Sequence, residues 1–271
     1  MVLLQYDIGV SKRILITNDD GFDSPGLWAL VRACSKHDCE ITVAAPRENQ
    51  SAAGASLTLR KQIEWESIKN PPVANIQAWT VGGRPGDAAI VGLDHLSEST
   101  DILISGINQG ANIGFDLSIS VTVGAALQGY FRGITSLAIS YAMTPQTEVD
   151  WETAEHIASI ICGKVLSEEI PKKSFLNINI PLVAIGEIAG LVVTRAEETG
   201  YFQLEDAKNN TSKLKRKTPE DPKPIPQAGT DLWALSQKYV SICPIQINLT
   251  DYRKMDALGK ILNENWKEKE I

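Results

Sequence analysis

Short, β-branched apolar runs alternate with stretches of helical periodicity over the first 181 residues, and few architectures bury both kinds of surface. Arg13-Ile14-Leu15-Ile16-Thr17 is such a run, and it stops at Asn18-Asp19-Asp20-Gly21, a cluster of turn formers that a buried strand cannot continue. Ser24-Pro25 then opens a helix in which Leu27, Leu30, Val31 and Cys34 recur at helical spacing, before Ile41-Thr42-Val43-Ala44-Ala45 reads as the next strand. Further strands are predicted at Ala78–Val81, Asp101–Ser105, Leu137–Ser140 and Phe175–Ile180. Helices are predicted after Gly86, through Ala125 to Tyr130, and from Asp150 to Val165. Alternation of this kind predicts an α/β fold, a Rossmann-like, doubly wound and mostly parallel sheet with right-handed crossovers.

Two segments break the pattern. Residues 46–56 form a long polar loop, with Leu57-Thr58-Leu59 and Ile63-Glu64-Trp65 read as strands or a protruding hairpin. Residues 207–229 hold six Lys/Arg and four Pro with hardly any large apolar side chain, the composition of a mobile arm or a long hairpin tip. A short helix or turn is expected over Asp231–Tyr239, a strand over Val240–Leu249, and then a charged tail. The chain thus divides into a catalytic core over 1–181 and a C-terminal segment over 182–271 that completes the fold, with its arm at about 200–230.

Composition narrows the function. With 26 Lys+Arg against 33 Asp+Glu the formal charge is −7, which disfavours nucleic-acid polymer as the main partner. No run approaches the roughly 18 apolar residues of a membrane helix, so no membrane partner and a cytoplasmic location are expected. Cys34, Cys39, Cys162 and Cys243 are too few and too scattered to staple the chain and read as free thiols. Cys34, His37 and Cys39 lack a second cluster to complete a zinc site.

In an open parallel sheet the ligand crevice lies outside the C-terminal strand ends. Three loops there are rich in oxygen donors: Asn18, Asp19 and Asp20 after the first strand, Asn49, Gln50 and Ser51 after the second, and Asn108 and Asn112 after the strand at 101–105. Each alone is an ordinary turn sequence, but their convergence on one rim suits a hard cation such as Mg²⁺ or Mn²⁺. The glycines Gly106, Gly110 and Gly114 allow close backbone approach. Ser120 and Thr122 stand ahead of a small-residue helix whose N-terminus favours an anion, so this region reads as a phosphate seat. It carries neither a Walker lysine, nor GxGxxG, nor a GxSxG elbow. The first-strand acids are adjacent, unlike the spaced pair of haloacid dehalogenase-type phosphatases.

Ile14–Gly21 with Pro25-Gly26, Ala45-Pro46 through Asn49-Gln50-Ser51 to Ser56–Leu59, and Ser105–Gly114 resemble the three motifs of the SurE survival-protein family. Weaker similarity continues through Val192, Thr194-Arg195, Gly229-Thr230-Asp231 and Tyr239-Val240-Ser241, so that it spans Arg13 to about Thr250. The family consists of metal-dependent nucleoside-monophosphate phosphatases. The resemblance implies one divalent ion per subunit, Mg²⁺ or Mn²⁺, on Asp19, Asp20, Ser51 and Asn108. It also implies hydrolysis of nucleoside 5′-monophosphates, with 3′-monophosphates as a further substrate, and a homodimer or homotetramer assembled through the C-terminal arm.

Asn112, Ser120 and Thr122 would orient the phosphate; the sequence does not assign the base, for which Asp19 is one candidate. Where the family has Tyr-Ser-Gly-Thr this chain has Ile119-Ser120-Val121-Thr122, and for Gly-Thr-Pro-Thr-Asp it has Gly83-Arg84-Pro85-Gly86-Asp87. Two rival readings are a non-catalytic nucleotide sensor and a metal phosphatase acting on polyphosphate or sugar phosphates.

Overall fold

A computed structural model of the chain describes residues 11–143, 149–198, 201–204, 214–217 and 226–267. Strand β1 (Lys12–Thr17) is buried at its last four residues. Its alternate side chains serve different cores, with Ile14 and Ile16 joining one apolar cluster and Leu15 another. A strand covered on both faces belongs in the middle of a parallel sheet. There it lies between β2 (Cys39–Pro46) and β5 (Ile102–Gln109), parallel to both.

Among the described residues the sheet has nine strands, in the order β3 (Trp65–Ser67), β4 (Gln77–Val81), β2, β1, β5, β6 (Thr135–Ala142), β7 (Phe175–Pro181), β11 (Tyr239–Pro244) and β8 (Gly190–Val193). Its central six are β4, β2, β1, β5, β6 and β7, all parallel. Numbered among themselves they run 3-2-1-4-5-6, the doubly wound order whose direction reverses between β1 and β5. Helices α1 (Pro25–Cys34) and α4 (Glu152–Leu166) cover the face with Ile14 and Ile16. On the other face, α2 (Pro85–Val91) packs Ala88, Ala89 and Val91 around Leu15 and Leu103, while α3 (Val121–Tyr130) covers Ala138 and Phe175 through Val123 and Ala126.

The edges depart from the sequence reading. Leu57–Leu59 is not a strand. The second run contributes only β3 (Trp65–Ser67), which forms an antiparallel pair with β4. Residues 106–109, read as loop, extend β5, because Gly106 adopts φ +146° and lets the backbone pass where a Cβ would stand 2.3 Å from the Ile139 carbonyl oxygen. The β5–β6 register shifts between Ser105 and Asn108, a bulge that re-aims the residues after it.

Past residue 181 the chain adds to the same sheet. There β8 (Gly190–Val193) pairs parallel with β11 (Tyr239–Pro244), which runs antiparallel to β7. The strand expected to reach Leu249 ends at Pro244, and α5 (Asp231–Ser236) precedes it. The expected charged tail is helix α6 (Tyr252–Lys267), with Tyr252, Met255, Leu258, Ile261 and Leu262 exposed along it. Within the arm, β9 (Tyr201–Leu204) and β10 (Leu214–Lys217) form an antiparallel two-stranded ribbon. The remaining arm positions up to residue 225 lie outside the described residues.

Candidate active site

The topological reversal leaves a crevice above β1 and β5, whose C-terminal ends stand side by side with Thr17 opposite Ser105. Asp20, just past β1, joins three segments. Its Oδ2 accepts the Gln109 backbone N–H at 3.0 Å, and its Oδ1 lies 3.3 Å from the Ser51 hydroxyl and 3.5 Å from Asn49 Nδ2. The Asp19 carbonyl accepts the Gln50 N–H at 2.7 Å, fixing the start of the loop that carries Ser51.

The Asp19 side chain turns inward. It is 4% exposed, and its Oδ1 accepts the Thr122 hydroxyl at 2.8 Å. Burial, together with the charge of Asp20 beside it, pushes the Asp19 carboxyl up to about 7 against the pull of the Thr122 hydrogen bond. Burial also raises Asp20 above the usual carboxylate range, opposed by the Gln109 N–H and the Ser51 hydroxyl.

Behind Thr122 lies a polar network. Asn112 Nδ2 donates to Ser140 Oγ at 3.0 Å and to Thr122 Oγ1 at 3.3 Å. The Asn112 peptide is clamped from β7, where Asn179 Oδ1 accepts its N–H and the amides of Asn177 and Asn179 donate to its carbonyl, each at 2.9 Å. Two residues on, the Gly114 N–H donates to Asp231 Oδ2 at 2.8 Å, so the C-terminal segment holds the far end of this loop.

Ser120 is the N-cap of α3 and its Oγ accepts the Val123 N–H at 3.1 Å, while Thr122 sits in the first turn. Hydrogen bonds thus link Asp20 with Ser51 and Asp19 with Thr122 and Asn112, two sets joined by the adjacency of the two acids, with Ser120 at the helix cap beside them. Asn108 precedes Gln109 and does not touch the acids. Its Nδ2 is committed to the Gly110 carbonyl at 2.7 Å, leaving Oδ1 as the donor atom for a cation.

Sequence reasoning passed over Ser140, Asn177, Asn179 and Asp231. The signal was present in β7, where Asn177 and Asn179 stand in a run that is buried throughout. Buried amides in such a strand call for partners, and here the Asn112 backbone partners both Oδ1 and Nδ2 of Asn179 and the Nδ2 of Asn177, whose Oδ1 stays without one.

The donor set fits a hard divalent cation. Two carboxylates whose pKa values are raised by burial lie together, and no Lys or Arg among the described residues pairs with them. Neutral oxygens from Ser51 and Asn108 are close in the chain to groups that already bond to Asp20. Thr17 Oγ1, Asn18 Oδ1 and Ser105 Oγ, all at these two strand ends, are buried without hydrogen-bond partners. An oxygen-only donor set suits a hard cation rather than a soft one.

Fold and crevice together define a doubly wound α/β protein with an acidic, oxygen-lined site beside a helix N-terminus at its topological switch point. The family model described as survival protein SurE matches residues 14–203. A protein of Dehalococcoides mccartyi strain CBDB1 named 5′-nucleotidase SurE is 39% identical over 242 residues, covering 88% of this chain and 89% of its own. One of the same name from Legionella pneumophila is 34% identical over 254 residues, 93% of this chain and 98% of its own. The crystal structure of the SurE protein from Aquifex aeolicus superposes with a TM-score of 0.78 at 30% identity, over 92% of this chain and 99% of that one. The chain belongs to the SurE family. Among the described residues no helix is long and apolar enough to cross a membrane.

Proposed function

We propose that this chain is a metal-dependent phosphatase that hydrolyses nucleoside 5′-monophosphates, with 3′-monophosphates as further substrates, to nucleoside and phosphate. The observation that carries the reading is the hydrogen-bonded set Ser51–Asp20 and Asp19–Thr122–Asn112 at the N-terminus of α3, in a chain 39% identical to a protein named 5′-nucleotidase SurE.

Asp19, Asp20, Ser51 and Asn108 would hold one divalent ion per subunit, Mg²⁺ or Mn²⁺. When bound, the ion polarises phosphoryl oxygens and lowers the pKa of a water. The chain's own groups do the rest. Thr122 orients the Asp19 carboxylate. Asn112, whose N–H and Nδ2 donors are already given to Asn179, Ser140 and Thr122, holds Thr122 in place rather than binding phosphate as the sequence suggested. Ser120 with the N–H groups at the start of α3 receives the phosphate and meets charge as it develops. Asp19 is the candidate for taking a proton from the attacking water, a role in which a cation-bound carboxylate is weak.

We place the enzyme in the cytoplasm, consistent with four unpaired cysteines. We also read it as a homodimer or homotetramer using the arm that contains β9 and β10. Light scattering that finds a monomer at micromolar concentration overturns the assembly reading. Activity is tested by phosphate release from 5′- and 3′-nucleoside monophosphates, polyphosphate and sugar phosphates, each with Mg²⁺, Mn²⁺ or excess chelator. Release from nucleotides that stops in chelator is expected. Tight nucleotide binding without release identifies the sensor, and preference for polyphosphate or sugar phosphates identifies the other phosphatase.

A further inference from the structure

Residues 47–64, which carry Ser51, contain neither strand nor helix. The start of this loop is pinned beside the acids by Phe22 N–H to the Pro46 carbonyl at 2.8 Å and Gln50 N–H to the Asp19 carbonyl at 2.7 Å. Ser51 itself reaches Asp20 at only 3.3 Å, long for a hydroxyl donor and too weak to hold the segment by itself.

The far half is held by α2. Asp87, in the first turn of that helix and 2% exposed, accepts the Thr58 N–H through Oδ1 at 2.9 Å and the Arg84 N–H through Oδ2 at 2.8 Å. Arg84 extends its guanidinium back over the loop, donating from Nη1 to Ser56 Oγ at 2.9 Å and, at 3.5 Å, to the Ala53 carbonyl. Leu57 lies against Gly86, where a Cβ would stand 2.6 Å from Leu57 Cδ2.

Burying a carboxylate is costly, and two charge-assisted hydrogen bonds from peptide N–H groups offset the cost. Helix capping accounts for the Arg84 N–H. It does not account for Thr58, 29 residues earlier in the chain.

We propose that Asp87, assisted by Arg84, is a positioning residue that sets Ser51 against Asp20 and so completes the cation site, an inference that rests on the cation reading given above. The ends of β1 and β5 deliver Asp19, Asp20 and Asn108 directly, whereas Ser51 arrives on a loop whose far half is hydrogen-bonded to α2, with Ala55 packed against Gly124 of α3 and the Glu64 carbonyl accepting the Gly82 N–H at its exit. An amide at position 87 can accept through one atom only, so either Thr58 or Arg84 loses its acceptor and the loop gains freedom.

The test is Mn²⁺ binding to the full chain, read from the electron paramagnetic resonance signal of free Mn²⁺, for wild type, Ser51→Ala, Asp87→Asn and the double variant, with circular dichroism as the check on folding. Asp87→Asn is expected to weaken binding about 10- to 100-fold, as loss of a group that orients a metal ligand does. The double variant should bind no more weakly than Ser51→Ala alone, because both changes remove the same ligand. If Asp87→Asn does not fold, Arg84→Met takes its place. It should weaken binding about 3-fold or more, the worth of one net hydrogen bond, and again add nothing to Ser51→Ala. Wild-type affinity in the folded variant, or losses that simply multiply in the double variant, overturn the proposal while leaving the cation site intact. A wild-type chain that binds no Mn²⁺ overturns the cation reading itself, and this inference with it.

Discussion

Thr122→Val isolates one hydroxyl at the centre of the site. Thr122 and Asp19 are 1% and 4% exposed, and the hydroxyl donates to Asp19 Oδ1 at 2.8 Å. Valine preserves shape and volume, so the change removes the donor without opening a cavity. A hydrogen bond to a charged group contributes about 1.5–3 kcal/mol. The packing of Val121 and Val123 on either side is untouched, and Asn112 Nδ2 keeps Ser140 Oγ as a partner.

At about 2–4 °C per kcal/mol for a domain near this size, the midpoint should fall by about 3–12 °C. Thr122→Ser keeps the hydroxyl and deletes a methyl, costing about 0.5–1.5 kcal/mol, as comparable methyl deletions do. Metal affinity separates the two more sharply. The valine variant should bind Mn²⁺ about 10- to 100-fold more weakly, because Asp19 then loses the hydroxyl that orients it, while the serine variant should bind nearly as wild type. Calorimetric melting and Mn²⁺ titration of both variants supply the comparison. A valine variant as stable as wild type, or one that binds Mn²⁺ better than the serine variant, refutes the role given to this hydroxyl.

Asp19→Asn and Asn108→Ala should each abolish phosphate release while circular dichroism stays native, since Asp19 lies just past β1 and Asn108 at the end of β5, outside the apolar core, and a wild-type rate in either means these are not the ligands. Asn179→Leu removes two hydrogen bonds from the Asn112 peptide and should destabilise the fold by about 1–3 kcal/mol and lower kcat/KM for nucleoside monophosphates. Unchanged melting and kinetics would show that Asn112 does not depend on Asn179.

Glu155 on α4 lies 2.8 Å from both Arg32 and Lys36. Partial burial raises its pKa, but the hydrogen bonds and charges of these two cations bring it below the usual carboxylate range. A depressed folded pKa contributes stability above the unfolded pKa that is lost as pH falls through the folded one. Glu155→Gln should therefore cost up to about 1 kcal/mol at neutral pH, the cations being half exposed, and progressively less as the pH falls through the lowered folded pKa. A cost that persists in acid would assign it to packing.

Much of this architecture is written locally. Ile14-Leu15-Ile16 is apolar on both faces and can only be a central strand, and the turn formers that follow place Asp19 and Asp20 at its open end whatever else the chain does. Repetition of that unit implies the parallel sheet, and the parallel sheet implies which rim carries the site. The same local logic failed at residues 106–109, where a glycine conformation and a bulge let a loop-like sequence continue β5, and at α6, whose spaced apolar residues among charges resembled a tail.

What only the tertiary structure decided is which polar groups meet. Asn177 and Asn179 look like interruptions of a strand until the Asn112 peptide is seen across them, 65 and 67 residues away in the chain. Asp87 looks like a helix cap until Thr58 is found bonded to it. Strand and helix periodicity report burial, which neighbouring residues share. Hydrogen-bond partners are chosen by the crossing of distant segments, and no local pattern encodes that crossing.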